Sequence, residues 1–224
     1  MIDPCAPAGQ AQVSDADYLT LAQWMSPAFP VGGFVWSHGL ETAMSDGAVH
    51  DAATLEGWLG TIITQGSGLA DATLMCAAMA PEAELDALGD LACALAGSAE
   101  RLAETNAQGA AFTSAHNALT GHEFTPAPMP VALGRAARAL SLSPSVVAAH
   151  FLQAFTANLI SAAVRFMPLG ATQGQAVLQA LQPAIVNTAR AAATADVDTI
   201  AMSQPGADFA AIAHETQDVR IFRS

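Results

Sequence analysis

Apolar positions recur with helical spacing along most of the chain, most clearly after Ser143. Phe151, Phe155, Leu159, Ala162 and Phe166 fall at near-helical intervals. Ser143 suits the N-cap of that helix, and Pro144 suits its first turn, where the missing N–H costs nothing. The helix is apolar on most faces, as a central helix should be. "MPLG" ends it. Thr172 and Gln175 then offer a T-x-x-Q capping box for a helix carrying Val177, Leu178, Leu181, Ile185 and Ala189. Pro183 inside that pattern is expected to kink or split it. Asp208 can cap a last helix through Phe209, Ile212, Ala213 and Thr216.

The first half reads the same way. Asp15 can cap a helix with Leu19, Ala22 and Gln23 in register. Asp51 can cap another through Leu55, Leu59 and Ile62, ending near Gly66. Residues 70–80 form a further helix stopped by Pro81, and residues 82–96 another before Gly97. Ser98 opens one that runs to about Leu119. Residues 121–130, "GHEFTPAPMP", read as an interhelical loop. Strand alternation is nearly absent. The expectation is an all-α, single-domain helical bundle of roughly eight to ten helices, from a mean helix length of about 11–12 residues. Residues 1–14 are expected to be a flexible leader ahead of a helical domain over 15–218.

Composition narrows the picture. Of 224 residues, 52% are apolar and 12% charged, which argues against disorder. The apolar stretch 146–169 is interrupted by His150, Gln153, Asn158 and Arg165, so it reads as a buried core helix rather than a membrane span. The first fifteen residues lack a basic region and an apolar core, so no secretory signal is expected. Cys5, Cys76 and Cys93 lack C-x-x-C spacing, which fits a reducing compartment, with Cys76 and Cys93 as small buried residues. The net charge of -13 lies entirely in residues 1–100, and all seven basic residues are arginines, beginning at Arg101. That balance argues against nucleic acid as a partner. It fits a basic protein surface, a cation, or a solvating acidic coat.

Catalytic patterns are missing. A chain without lysine cannot supply a P-loop, and no G-x-G-x-x-G follows a strand. There is no G-x-S-x-G. Adjacent Ser37 and His38 normally point apart. The six histidines never form H-x-x-x-H. His116 and His122 lie off a common helix face. His150 suits a hydrogen-bonded core position, and His214-Glu215 lacks the second histidine of H-E-x-x-H. No enzymatic activity, cofactor or dedicated metal site is expected.

Special chemistry concentrates in "SPAFPVGGFVWSHGLE", residues 26–41. Prolines fix the path and glycines permit tight turns or close approach. Ser37 can cap a helix through Glu41, which is favoured near the positive helix end. Burial is expected for Phe29 and Phe34. Trp36 and His38 are open between core plug and interface anchor.

This stretch resembles the signature of the urease accessory protein F family, approximately S-x-F-P-x-G-x-F-x-[YF]-S-x-G-L-E. "MPLGATQGQ" (167–175) is similar to the family's P-L-G-x-x-x-G-Q segment. "HETQDVRIFRS" (214–224) is similar to its H-E-x-x-x-x-R-[LI]-F-x-S terminus. The blocks keep their order across about 200 residues. The resemblance implies an all-helical cytoplasmic homodimer without covalent chemistry. It implies partners: urease accessory protein D (also called H), the urease accessory GTPase G, and apo-urease, on which the assembly supports nickel insertion. It implies partner contacts at Phe34, Trp36, Ser37, His38, Gly39, Leu40 and Glu41 for the GTPase and the dimer. For D/H it implies the tail over 219–224, with Arg220, Ile221, Phe222, Arg223 and Ser224, a segment expected to order on binding. Trp36 stands where the family usually has tyrosine, keeping the ring without the phenol hydroxyl. Two other roles are compatible with the resemblance. One is regulation of the GTPase's hydrolysis, with Arg101, Arg220 and Arg223 as the candidate arginine fingers. The other is passage of nickel through the protein.

Overall fold

The computed structural model describes residues 14–224, so the expected leader lies outside the described residues except for Ser14. Among these residues ten α-helices and two short 3-10 turns form, and no strand. The helices are α1 (Asp15–Trp24), α2 (Leu40–Ser45), α3 (Ala52–Gln65), α4 (Ser67–Ala78), α5 (Leu85–Ala94), α6 (Ala99–Thr120), α7 (Met129–Ala137), α8 (Pro144–Phe166), α9 (Ala171–Ala192) and α10 (Pro205–His214). The all-α expectation is met.

Three helix starts follow from the capping residues already read. The Asp51 carboxylate accepts the Thr54 N–H at 2.8 Å and starts α3. The Ser98 hydroxyl accepts the Arg101 N–H at 3.1 Å and starts α6, which ends at Gly121 in a left-handed turn. Pro144 sits in the first turn of α8 as expected.

Four local expectations are corrected. α1 begins at Asp15 itself, with Ser14 as N-cap. α9 begins at Ala171, so the Thr172–Gln175 box does not form. Instead the Gln173 side chain accepts the Gly170 N–H at 3.0 Å. α10 starts at Pro205, three residues before Asp208, whose carboxylate instead accepts the Gln204 side-chain amide at 2.7 Å. Pro183 does not split α9. Proline removes one helix bond to the carbonyl four residues earlier, and Gln179 there is exposed, so water can satisfy it.

Helix α7 is an element the sequence pattern missed, because "PAPMP" masks its start. It is almost entirely buried. Gly109 of α6 makes this approach possible: a Cβ there would lie 1.9 Å from the Ala127 carbonyl oxygen. α8 and α9 form the most extensive helix pair, and α4 and α3 pack against both. α8 is long and apolar enough to cross a membrane, yet half of its most apolar window is buried within the fold. Phe112 of α6 anchors the aromatic part of the core, with Trp24 edge-on and Phe29 tilted against it, both at 5.7 Å between ring centres. Burying a side chain of this size contributes about 2–3 kcal/mol. Phe29 therefore pins the proline-rich stretch beneath α6.

Candidate functional site

After a 3-10 turn over Gly33–Val35, the chain is extended at Trp36 and then reverses. His38 and Gly39 both take left-handed conformations, with φ of 60° and 75°. For histidine this is uncommon and mildly strained. At Gly39 the space is also closed: a Cβ would lie 2.6 Å from the Ala211 nitrogen. The N-cap of α2 is Gly39 rather than the expected Ser37, but the reversal turns the Ser37 hydroxyl back to accept the Glu41 N–H at 3.2 Å. Leu40 is fully buried.

The tail docks on this reversal. The Arg223 N–H donates to the Val35 carbonyl at 2.7 Å, and the Ser37 N–H donates to the Ser224 carbonyl at 2.8 Å. The Ser37 hydroxyl also donates to that carbonyl. The His38 N–H reaches the Ser224 hydroxyl at 3.1 Å. Phe222 is buried, with the Arg165 guanidinium 4.8 Å from its ring centre. The same guanidinium donates to the Phe34 carbonyl at 2.8 Å.

Glu41 is the hub. Its carboxylate is 1% exposed and accepts the backbone N–H groups of Ile221 and Phe222, each at 2.8 Å. A buried carboxylate needs such partners, because leaving it unpaired would cost several kcal/mol. His214, the last residue of α10, has no solvent exposure and lies between two carboxylates. Its Nε2 is 3.1 Å from Glu41, and its Nδ1 is 2.7 Å from Glu100 at the start of α6. Glu100 in turn accepts the Arg220 guanidinium at 2.8 Å. Thus α2, α6, α10 and the tail meet in one polar cluster.

Behind it lies a second buried network. His38 Nε2 is 2.7 Å from the Ser67 hydroxyl, and its ring sits edge-on to Phe155 at 5.2 Å. Burial pushes the His38 pKa down. Arg101 pairs with Glu104 and reaches Asp71 at 3.5 Å. Burial pushes the Asp71 carboxyl up to about 6. Burial works the same way on Glu104, but Arg101 and His38 outweigh it and hold that carboxyl below the usual range. Asp71, Arg101 and Glu104 also line the inner end of a cleft of about 470 Å³ between α1, α8 and the stretch before α2, with Phe34 and Phe155 on its walls.

The structure thus brings together Trp36, Ser37, His38, Gly39 and Glu41 with Arg220, Ile221, Phe222, Arg223 and Ser224. Trp36 is buried at 5% exposure, with Arg223 above its ring at 5.9 Å. Phe34 is the exception. Its expected burial is corrected by a 63% exposure: it lies in the 3-10 turn that lines the cleft. Cys76 is buried and Cys93 half-buried. His150 bonds the Val146 carbonyl at 3.0 Å. The end of α6 at Gly121 folds His122 back to 5.5 Å from His116, although their spacing separates them on a helix. Among the described residues no group of three His, Cys, Asp or Glu is placed to hold a metal ion. The sequence reading assigned no role to Glu100 or Arg165, and read His214 as an incomplete metal motif and as the first residue of the terminal block. The signal available was position: His214 opens the same block that ends in the tail.

The sequence profile of the UreF family matches residues 49–182. The chain is 52% identical over 206 residues to the urease accessory protein UreF of Cereibacter sphaeroides strain ATCC 17025, covering 92% of this chain and 98% of that protein. It is 51% identical over 206 residues to the protein of the same name from Dinoroseobacter shibae, covering 92% and 98%. It is 50% identical over 210 residues to that from Paracoccus denitrificans, covering 94% and 97%. With the three sequence blocks falling on one helical fold and relatives aligned over nearly its whole length, the chain belongs to the UreF family.

Proposed function

We propose that this chain is a non-enzymatic scaffold for urease maturation in the cytoplasm. It bridges accessory protein D/H and the accessory GTPase G on apo-urease and supports GTP-dependent nickel insertion. The observation that carries this reading is the anchoring of the tail on the buried opening stretch through Glu41, which fixes the tail's outer face. Both segments resemble partner-binding blocks of the family. Phe222 and Ser224 face inward, while Val219 and Ile221 are 79% and 69% exposed. The outward face of α10 adds Phe209 and Ile212 at 71% and 48%. Apolar groups held on a fixed backbone suit a partner that buries them. The cleft beside Phe34 offers a second apolar surface, which supports pairing with another copy of the chain. Mixing the protein with D/H and G and measuring the mass of the product tests the reading. The expected product contains all three proteins and two copies of this chain; absence of any complex with D/H overturns it.

Regulation of the GTPase's hydrolysis is the second reading, favoured by Arg223. Its guanidinium is exposed above Trp36, whereas Arg101 is buried in ion pairs and cannot reach a partner. If Arg223 acts as an arginine finger, Arg223→Ala should cut single-turnover GTP hydrolysis by the complex by at least about 10³-fold. An unchanged rate removes that role.

A further inference from the structure

We propose that His116, His122 and Phe124 form a latch that holds residues 121–128 against α6 near neutral pH and releases them in mild acid. The latch goes beyond the scaffold reading and does not depend on it.

The loop is held at few points. The Asn117 side-chain amide donates to the Phe124 carbonyl at 2.9 Å, and its oxygen accepts the Phe124 N–H at 3.2 Å. The Arg135 guanidinium donates to the Thr125 carbonyl at 2.6 Å and lies 4.4 Å from the centre of the Phe124 ring. That ring stacks nearly parallel on the buried His116, at 5.4 Å and 8°. His122 tilts against both rings, 4.8 Å from Phe124 and 5.5 Å from His116. Ring contacts of this kind hold the loop only while the rings stay close.

The surroundings of His116 suit a neutral ring. The Thr120 hydroxyl gives its proton to the His116 carbonyl at 2.7 Å and sits 2.9 Å from His122 Nδ1. Its distance to His116 Nδ1 is 3.5 Å, too long for a good hydrogen bond. A proton added to His116 therefore gains little from it. The charged groups that bear on His116 are His122 from the loop and Arg135 from α7, and both repel an imidazolium when charged. From α1 it meets only the uncharged Trp24, at 5.5 Å. The Phe124 ring favours a nearby cation, but Arg135 already fills that place. Burial pushes the His116 pKa down, His122 and Arg135 push the same way, and Asn117 opposes them without prevailing.

In the open loop His116 meets water and titrates near the ordinary histidine value of about 6.5, whereas docking disfavours its charged form. The docked loop thus binds fewer protons than the open one. Docking has its full strength above that value and weakens as pH falls below it, by up to about tenfold between about pH 7.5 and about pH 5.5. Release also bears on the cleft, because Trp24 stands edge-on to His116 and lines the cleft wall.

Amide exchange at Phe124 of the full chain across a pH series, corrected for intrinsic rates, tests the latch together with NMR titration of His116. In the wild type, Phe124 protection is expected to fall about threefold to tenfold from about pH 7.5 to about pH 5.5, while the core amides of α8 keep theirs. His116→Phe keeps a stacked ring without a titrating group, so its Phe124 protection should stay level over that range. Asp71, held up to about 6, titrates there too, but it is present in both proteins and cannot account for a difference between them. Level protection in the wild type overturns the latch, whether or not the variant folds. So does a His116 titration at or above the ordinary histidine value, and so does an equal fall in wild type and folded His116→Phe. No partner is present in these measurements, so a failed latch leaves the scaffold reading standing, and the reverse holds too.

Discussion

Replacing Glu41 by alanine is expected to destabilise the protein by about 2–5 kcal/mol, the cost of leaving two or three buried polar groups without their acceptor. The substitution removes the acceptor for two buried backbone N–H groups and one face of the His214 imidazole. Each polar group left buried without a partner costs about 1–3 kcal/mol. Part of this cost is relieved if the tail swings out and lets water reach the Ile221 and Phe222 amides. The loss should therefore divide between global stability and tail docking. Urea unfolding followed by circular dichroism reads the first, and amide exchange at residues 221 and 222 reads the second. Glu41→Gln should lose less, because one side-chain oxygen still accepts while its amide group faces the remaining donors. A loss below about 1 kcal/mol with both tail amides still protected would show that Glu41 is not the hub.

The difference between local and long-range chemistry explains what the sequence made legible. Asp51, Ser98 and Pro144 mark helix starts because a cap acts within four residues of itself. The Gly170–Gln173 contact is equally local but was displaced by a better-looking Thr172–Gln175 pattern. α7 was hidden because "PAPMP" covers its start, and its close approach to α6 depends on Gly109, which no residue of α7 reveals. Phe34 reads as core by residue type, yet it sits in the 3-10 turn beside the cleft and is exposed. The polar cluster is the extreme case. Glu41 and Phe222 are separated by 181 positions, and His214 gains its role from α2 and α6 together. The acidic first half also splits on folding: Glu41 and Asp71 are drawn into buried networks, while Asp46, Asp51 and Glu82 remain in solvent. Charge counts along the chain cannot separate these two kinds of acid.

Deleting Val219–Ser224 is expected to abolish binding to D/H while preserving the helices, in contrast to Glu41→Ala. The deletion removes donors and uncovers the acceptor, so the Glu41 carboxylate meets water rather than standing buried and unpaired. The remaining cost is the lost burial of Phe222, about 2 kcal/mol for a side chain of that size. Circular dichroism should therefore be nearly unchanged, with a modest fall in unfolding midpoint. Deletion alone cannot tell a lost contact surface from a disturbed neighbour, but Ile221→Asp can. That side chain points outward and makes no core contact, so the charge should leave stability and tail protection close to wild type. If the tail's apolar groups are the contact, the same charge should weaken D/H binding by about 2 kcal/mol or more, the range of an interface hot spot. Calorimetric titration of D/H into the two variants separates the cases. Full affinity in Ile221→Asp with none in the deletion would move the contact from the tail's outer face to the backbone and the inward residues. Full affinity in both would remove the tail from the interface and leave the α10 face, with Phe209 and Ile212, as the surface to test.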